Sequence, residues 1–468
     1  MKVLAAIANY GTKNQAYLAN LLDEYRSMPY EVQSVVLSNV PKELGPDVEV
    51  AVGLPSKDPW SLPFAHKQIF ADRVDDYDLF IYSEDDTLIQ QRHIDAFLEV
   101  TNVLPADRIV GFLRYEEDAD GQKYCSTMHS FYHWMPGSVE SFGPYTFAYF
   151  TNEHSASYML TQDQLRRAIA SGGFLVPPHH GRYDLLCTAA TDPYTQCGFK
   201  KLICISRIED FLLHHLPNQY LGRMGLPYDQ MRAQAKALSR CLEDRQACAE
   251  LLPSPVGLNT CRWSKRYYGR ADESVLAAVP DNAQSILSVG CGDGMTEASL
   301  IARGARVVGI PLDAVMAELA TAKGVELTSP DLEKAAESLR GQRFDCILLV
   351  DVLPHAPEPP ALLATVVELL AEGGRLIITA PNFGYLKYRL SDPDGRRMWR
   401  SPDPFERFHL HRTTPRMLAQ WLRAVGLQTR RFGNEEDARF GWLVKASCGL
   451  AGPYLLRNMS ITADRGGK

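Results

Sequence analysis

Apolar and polar positions repeat one theme along this chain: a short apolar run, a polar turn, then a segment of helical spacing. Residues 2–8 form the first apolar run. Asn9-Tyr-Gly-Thr12 is a polar turn, and residues 14–26 carry helical spacing. Residues 32–37 and 48–52 predict two more strands. A Pro-rich loop at 54–63, a helix at 65–74 and a compact strand at 79–82 follow. This βαβ opening predicts a parallel sheet with its ligand loops along one edge. The theme returns at 285–289, where an apolar run meets Gly290, Gly292 and Gly294 and turns helical through 295–303. Strands are predicted at 306–310, 344–350 and 375–380, and a helix at 359–370 ends at Glu372-Gly-Gly374. Alternating strand and helix predicts a second, doubly wound parallel sheet.

Between the two blocks, residues 229–252 are charged, helically spaced and free of motifs, and Pro253-Ser-Pro255 breaks them. We read four stretches: an α/β domain at 1–225, a helical linker at 226–261, a second α/β domain at 262–446, and a tail at 447–468 that is an edge segment, then disordered from Ala463. The 468-residue length suits two or three domains. A net charge of -7 argues against general nucleic-acid binding. The ten cysteines form no CxxC pair, which predicts reduced thiols and a cytoplasmic protein. No apolar run is long enough for a transmembrane segment; peripheral membrane association stays open.

Two turns carry candidate chemistry. Glycines at 290, 292 and 294 strip Cβ atoms from a strand-to-helix turn, so a ligand can press against backbone whose free N–H groups favour electron-rich atoms. Tight strand–helix packing asks for the same residues. Glu84-Asp85-Asp86 sits just past the strand at 79–82. Like charges crowded there are costly unless a cation neutralises them, and such oxygen ligands suit Mg²⁺ or Mn²⁺, which can in turn hold a diphosphate. A solvated acidic turn is the plainer alternative.

On that acidic motif and its element order, residues 1–225 resemble a GT-A glycosyltransferase. The resemblance implies that Glu84 and Asp86 bind the metal and the diphosphate of a nucleotide-sugar donor. It implies that the loop starting at Asn9 receives the nucleoside, and that His214 of the His214-His215 pair is a further metal ligand. Asp184 and Glu153 are the candidates for a catalytic carboxylate taking a proton from the acceptor hydroxyl.

Residues 262–446 resemble a class I S-adenosylmethionine-dependent methyltransferase of the small-molecule, MetW-like branch. Tyr267-Tyr268, Val289-Gly-Cys-Gly-Asp-Gly294, Asp331-Leu-Glu333, Asp351-Val-Leu-Pro-His355, Pro381-Asn-Phe-Gly-Tyr385 and His409-Leu-His411 carry the likeness in order. It implies S-adenosyl-L-methionine on Gly290, Gly292 and Gly294, with Asp331 at the adenine and Asp351 beside the methyl donor. Two positions depart from the family: Ser288 stands where an acid precedes the glycines, and Pro311 ends the second strand where an acid grips the ribose. Asp313 is the expected substitute. His355 and His409 are candidate proton acceptors, with His411 beside them; His355 alternatively only shapes the pocket, and His409 and His411 alternatively bind acceptor or phosphate.

The combined expectation is a bifunctional transferase that adds a sugar and O-methylates a glycan or small-molecule acceptor. The alternatives are a methyltransferase with a non-catalytic carbohydrate-binding front domain, and a non-enzymatic scaffold with degenerate sites.

Overall fold

Continuous apolar runs become strands buried on both faces, which is the setting parallel sheets require. The computed structural model describes residues 1–468 except 127–131, 222–224, 245–247, 253–255, 259–260, 434–451 and 466–468. Its two units are Met1–Glu243 and Asp244–Lys468.

The first unit runs β1 (Lys2–Ala8), α1 (Gln15–Ser27), β2 (Glu31–Ser38), β3 (Val48–Val52), α2 (Ala65–Asp72), β4 (Leu79–Glu84), β5 (Thr87–Leu88) and α3 (Gln91–Thr101). It continues with β6 (Arg108–Val110), β7 (Leu113–Glu117), β8 (Lys123–Cys125), β9 (Trp134–Phe142), β10 (Tyr145–Phe150), β11 (Ser157–Thr161), α4 (Gln162–Ala170) and α5 (Leu185–Thr195). The last elements are β12 (Lys200–Cys204), β13 (Leu212–His215), β14 (Leu226–Pro227) and α6 (Tyr228–Glu243). The main sheet has the order β11-β4-β1-β2-β3, parallel except for β11. Ala8 lies opposite Glu84 in this register, so the polar turn after β1 and the acidic triplet share one edge. A separate sheet, β14-β8-β7-β13-β5, sets β13 beside the strand that follows the triplet.

The helix expected to be a linker is instead part of the first unit. Met231, Ala235, Leu238 and Cys241 of α6 are buried, and the helix packs against β8, β9 and β14. Its charged residues hide an apolar stripe that needs a partner.

The second unit runs α7 (Glu273–Ala278), β15 (Ser285–Cys291), α8 (Met295–Ala302), β16 (Arg306–Pro311), α9 (Ala314–Thr321), β17 (Glu326–Leu327), α10 (Leu332–Ser338), β18 (Phe344–Val350) and α11 (Pro359–Val367). After β19 (Leu370–Pro381) come α12 (Leu386–Leu390), α13 (Pro393–Arg400), α14 (Pro404–Phe408), α15 (Pro415–Ala424), β20 (Leu427–Gly433) and β21 (Asn458–Arg465). The sheet order is β17-β16-β15-β18-β19-β21-β20. Pairing is parallel as far as β19, and β21 is antiparallel to both neighbours. The tail expectation is therefore corrected: the 458–465 segment is an interior strand, β20 takes the edge, and Ala463 is fully buried between Leu376 and Thr429. The expected boundary at 446–447 lies outside the described residues.

One charge pair is sealed inside the first unit. Lys67 on α2 donates to Asp192 on α5, and both side chains are almost wholly shut from water. Burial pushes the Lys67 pKa down and the Asp192 pKa up, each opposed by the other's charge. Removing one member strands a buried charge. Asp192→Leu is expected to cost ~3 kcal/mol or more, and adding Lys67→Met is expected to recover part of that. Denaturant unfolding of the two variants and wild type measures the coupling; additive losses would refute it.

Candidate functional site

In the first unit, β4 carries Glu84, Asp85 and Asp86 to the sheet edge, where they part. Asp85 turns inward and accepts from Asn9 Nδ2 and from Asn14 Nδ2 at 2.8 Å. Burial pushes its carboxyl up to about 6. Asn9, expected at a nucleoside, instead spends its amide N–H on holding Asp85. Glu84 and Asp86 border a cavity of about 310 Å³ that Tyr10, Asn14, Trp60 and Leu186 also line. Glu84 Oε1 and Asp86 Oδ1 are buried and have no hydrogen-bond partner among the described residues. Burial, then the charge of Asp86, raises the Glu84 carboxyl to about 8.

Strand alternation decides which histidine reaches this cluster. His214, the expected ligand, points the other way: its Nε2 meets Asn218 Oδ1 at 3.1 Å and its ring stacks on Tyr115. His215 is the neighbour of the acids, with Nε2 3.5 Å from Asp86 Oδ2 and Nδ1 2.7 Å from Glu116 Oε1. A carboxylate on Nδ1 favours the tautomer that leaves Nε2 as the acceptor. Among the described residues, no three His, Cys, Asp or Glu side chains converge closely enough to hold a metal ion by themselves.

The two candidate catalytic carboxylates separate. Asp184 caps α5, accepting from Cys187 N at 2.9 Å, and its charge helps to raise the Glu84 pKa. Glu153 is held by Tyr149 OH at 2.8 Å, Tyr183 OH at 3.1 Å and Arg182 Nη1 at 3.3 Å.

In the second unit, the turn after β15 is tight for reasons internal to the chain. Gly290 and Gly294 have positive φ, +71° and +83°. A Cβ at Gly290 would lie 2.6 Å from Val352 and 3.4 Å from both Leu251 and Leu312; one at Gly292 would lie 2.6 Å from Tyr267 O. Leu251 belongs to a segment that crosses the end of β16: its N–H donates to Leu312 O at 2.8 Å, and Glu250 bridges to Asp313. Asp313 is accordingly a helix cap. Its Oδ1 accepts from Val315 N and Met316 N, both at 2.8 Å, and burial raises its pKa to about 7. Asp331 likewise caps α10, accepting from Glu333 N and Lys334 N. Both had been expected at the cofactor.

The missing acid at Ser288 has a replacement from elsewhere in the chain. Ser288 Oγ donates to Glu297 Oε1 of α8 at 2.6 Å, and both residues are buried. Lys265, also buried, donates to Val350 O at 2.6 Å and feels the charges of Asp351 and Glu297. Asp351, in the left-handed region at φ +52°, accepts from Thr379 Oγ1 at 2.9 Å. His355 is buried, its Nε2 has no hydrogen-bond partner among the described residues, and desolvation lowers its pKa to about 3. His409 ends α14 in the left-handed conformation. His411 stacks on Phe405 and bonds Ala356 O at 2.9 Å, which makes it a brace.

Among the described residues no helix is long and apolar enough to cross a membrane.

Residues 263–431 match the family described as Methyltransferase domain. A ubiquinone biosynthesis O-methyltransferase of Xylella fastidiosa (strain 9a5c) is 29% identical over 154 residues, 32% of this chain and 63% of that protein. A protein of the same name from Psychrobacter cryohalolentis is 31% identical over 138 residues, 28% of this chain and 53% of its own length. The chain thus spans less than two thirds of these relatives. Among solved structures, an S-adenosylmethionine-dependent methyltransferase from Mesorhizobium loti aligns with TM-score 0.31 and 18% identity over 41% of this chain and 95% of its own. Magnesium protoporphyrin IX methyltransferase from Synechocystis PCC 6803 with bound SAH aligns with TM-score 0.30 and 21% identity, over 42% of this chain and 80% of its own. The glycine turn, the acid that follows β18 and the helical turn after it all fall inside the matched stretch, so residues 263–431 are similar to a methyltransferase domain.

Proposed function

We propose that the second unit transfers a methyl group from S-adenosylmethionine to an oxygen atom of a small-molecule or glycan acceptor. The family match over residues 263–431 carries this reading, and the O-methyltransferase names of the relatives give it its atom. When bound, S-adenosylmethionine supplies an electrophilic methyl group on a sulfonium. The backbone at Gly290 and Gly292 would floor its site, with Asp351 at the edge. The fit is incomplete on the ribose side, where β16 ends on Pro311 and Leu251 lies against Gly290. Burial lowers the His355 pKa to about 3, which leaves a neutral but weakly basic imidazole, so His355 would shape the pocket and not act as the base.

In a second reading the first unit handles a nucleotide sugar with Mg²⁺ or Mn²⁺. The buried, unpartnered oxygens of Glu84 and Asp86 favour it. Two carboxylates would supply part of a cation's shell and a diphosphate the remainder. His215 would add a ligand, and Asp184 is the better-placed base. The chain would then be a bifunctional transferase acting twice on one acceptor.

Calorimetry of the full chain with S-adenosylhomocysteine tests the first reading. Asp351→Asn is expected to weaken binding about tenfold, ~1.4 kcal/mol. Leu251→Ala, which clears space over Gly290, is expected to tighten it. Absence of binding in every form would end the reading.

His355 makes an acid-stability prediction. Its folded pKa lies below its unfolded one, so its contribution is intact above about pH 6.5 and is lost as pH falls toward about 3. His355→Gln is expected to flatten that loss in thermal melts while leaving S-adenosylhomocysteine binding in place. An unchanged acid limb would contradict the buried neutral imidazole.

The Glu84 shift has the opposite sign. Its folded pKa is raised, so its contribution is present below about pH 4.5 and is lost as pH climbs through about 8. Glu84→Gln is expected to stabilise the protein by ~2–4 kcal/mol at pH 8 and hardly at pH 4.5. Mn²⁺ is expected to raise the wild-type melting temperature at pH 8 and not that of the variant. Equal Mn²⁺ shifts in both, or none in wild type, would reject the metal site.

A further inference from the structure

We propose that an arginine-lined cavity in the second unit is an oxyanion site that anchors a phosphoryl or carboxyl group of the methyl acceptor. The acceptor role rests on the methyl-transfer reading; the anion site itself does not. The cavity measures about 470 Å³. It begins at Asp351 and Thr379, at the carboxyl ends of β18 and β19, follows the face of β21, and reaches Arg375 and the end of α7.

Its charge is unlike that of the chain. The whole sequence has 49 Lys and Arg against 56 Asp and Glu. The lining has five arginines (262, 266, 375, 430 and 457), no lysine, no glutamate and two aspartates. Both aspartates are already committed. Asp272 caps α7, accepting from Ser274 N at 3.0 Å and Val275 N at 3.1 Å, and Asp351 accepts from Thr379. Arg262 pairs with Asp392, and Arg430 with Asp464 at 2.8 Å. Arg375 donates to a neutral carbonyl, Ala278 O at 3.1 Å, a contact that leaves its charge uncancelled.

The arginines come from separate segments: the stretch before α7, β19, β20 and the turn before β21. No single helix face explains them; the tertiary fold brings them to one concavity. Guanidinium forks rather than ammonium groups suit the planar or tetrahedral oxygens of carboxylate and phosphate. Like charges facing one hollow repel, and an entering oxyanion relieves that repulsion. An acceptor held there presents its remaining atoms beside Asp351, at the end of β18.

The test is calorimetric titration of the full chain with inorganic pyrophosphate and, separately, succinate. EDTA is present so that no divalent ion can recruit pyrophosphate to the acidic cavity of the first unit. The expected result is binding of at least one probe, weakened tenfold or more in the Arg266→Gln/Arg375→Gln double variant, with S-adenosylhomocysteine affinity within twofold of wild type. Tighter pyrophosphate assigns a phosphoryl group, tighter succinate a carboxyl group. No binding of either probe to wild type, or equal binding to the variant, overturns the site. Arginine-dependent probe binding by a wild-type chain that does not bind S-adenosylhomocysteine overturns the acceptor role together with the methyl-transfer reading, and leaves an oxyanion site.

Discussion

Strands buried on both faces can place charge only at their ends, and this constraint organises each unit. In the first, β4 is sealed from Leu79 to Ser83, and the acids follow at its end. Asp85 accepts from two amides of the turn after β1, while Glu84 Oε1 and Asp86 Oδ1 are buried with no hydrogen-bond partner among the described residues. In the second, Asp351 follows the last residue of β18, with buried Lys265 bonded to the carbonyl just before it. Burying such groups carries a desolvation cost that packing alone does not recover, so their persistence at a strand end points to chemistry.

The strands were legible because double-sided burial writes a continuous apolar run. Lys2–Ala8, Ser285–Cys291 and Phe344–Val350 could be read directly from the residues. The α6 stretch was legible as a helix but not as part of the first unit, because its apolar stripe is diluted by Arg, Gln and Lys. The choice between His214 and His215 depends on the parity of a four-residue strand, which adjacent identical residues cannot reveal. Asp313 and Asp331 show a different ambiguity: an acid just before a helix satisfies free N–H groups as readily as it grips a ligand, and here Oδ1 of each caps its helix. Leu251 and Arg375 were illegible because their roles come from contacts across dozens of residues.

The departure at Ser288 repays attention. A buried acid in the first turn of α8, Glu297, reaches back nine residues to the serine hydroxyl, so a carboxylate still sits behind the glycine turn though it comes from another element. The turn itself is over-determined. Val352, Leu251, Leu312 and Tyr267 crowd its glycines so closely that packing alone would require them. The glycines therefore identify the turn, and the wider run of matched residues, not the glycines, carries the likeness to a methyltransferase domain.

The placement of β21 has a consequence for synthesis. Residues 458–465 are inserted between β19 and β20, both made earlier. Until that stretch leaves the ribosome, β19 and β20 each present an unpaired, hydrogen-bond-hungry flank to solvent or to another nascent chain. The sheet thus closes late, across a long separation in sequence, which slows folding and exposes the half-made domain to mispairing. A premature stop shortly before residue 458 would remove an interior stave, not a loose end.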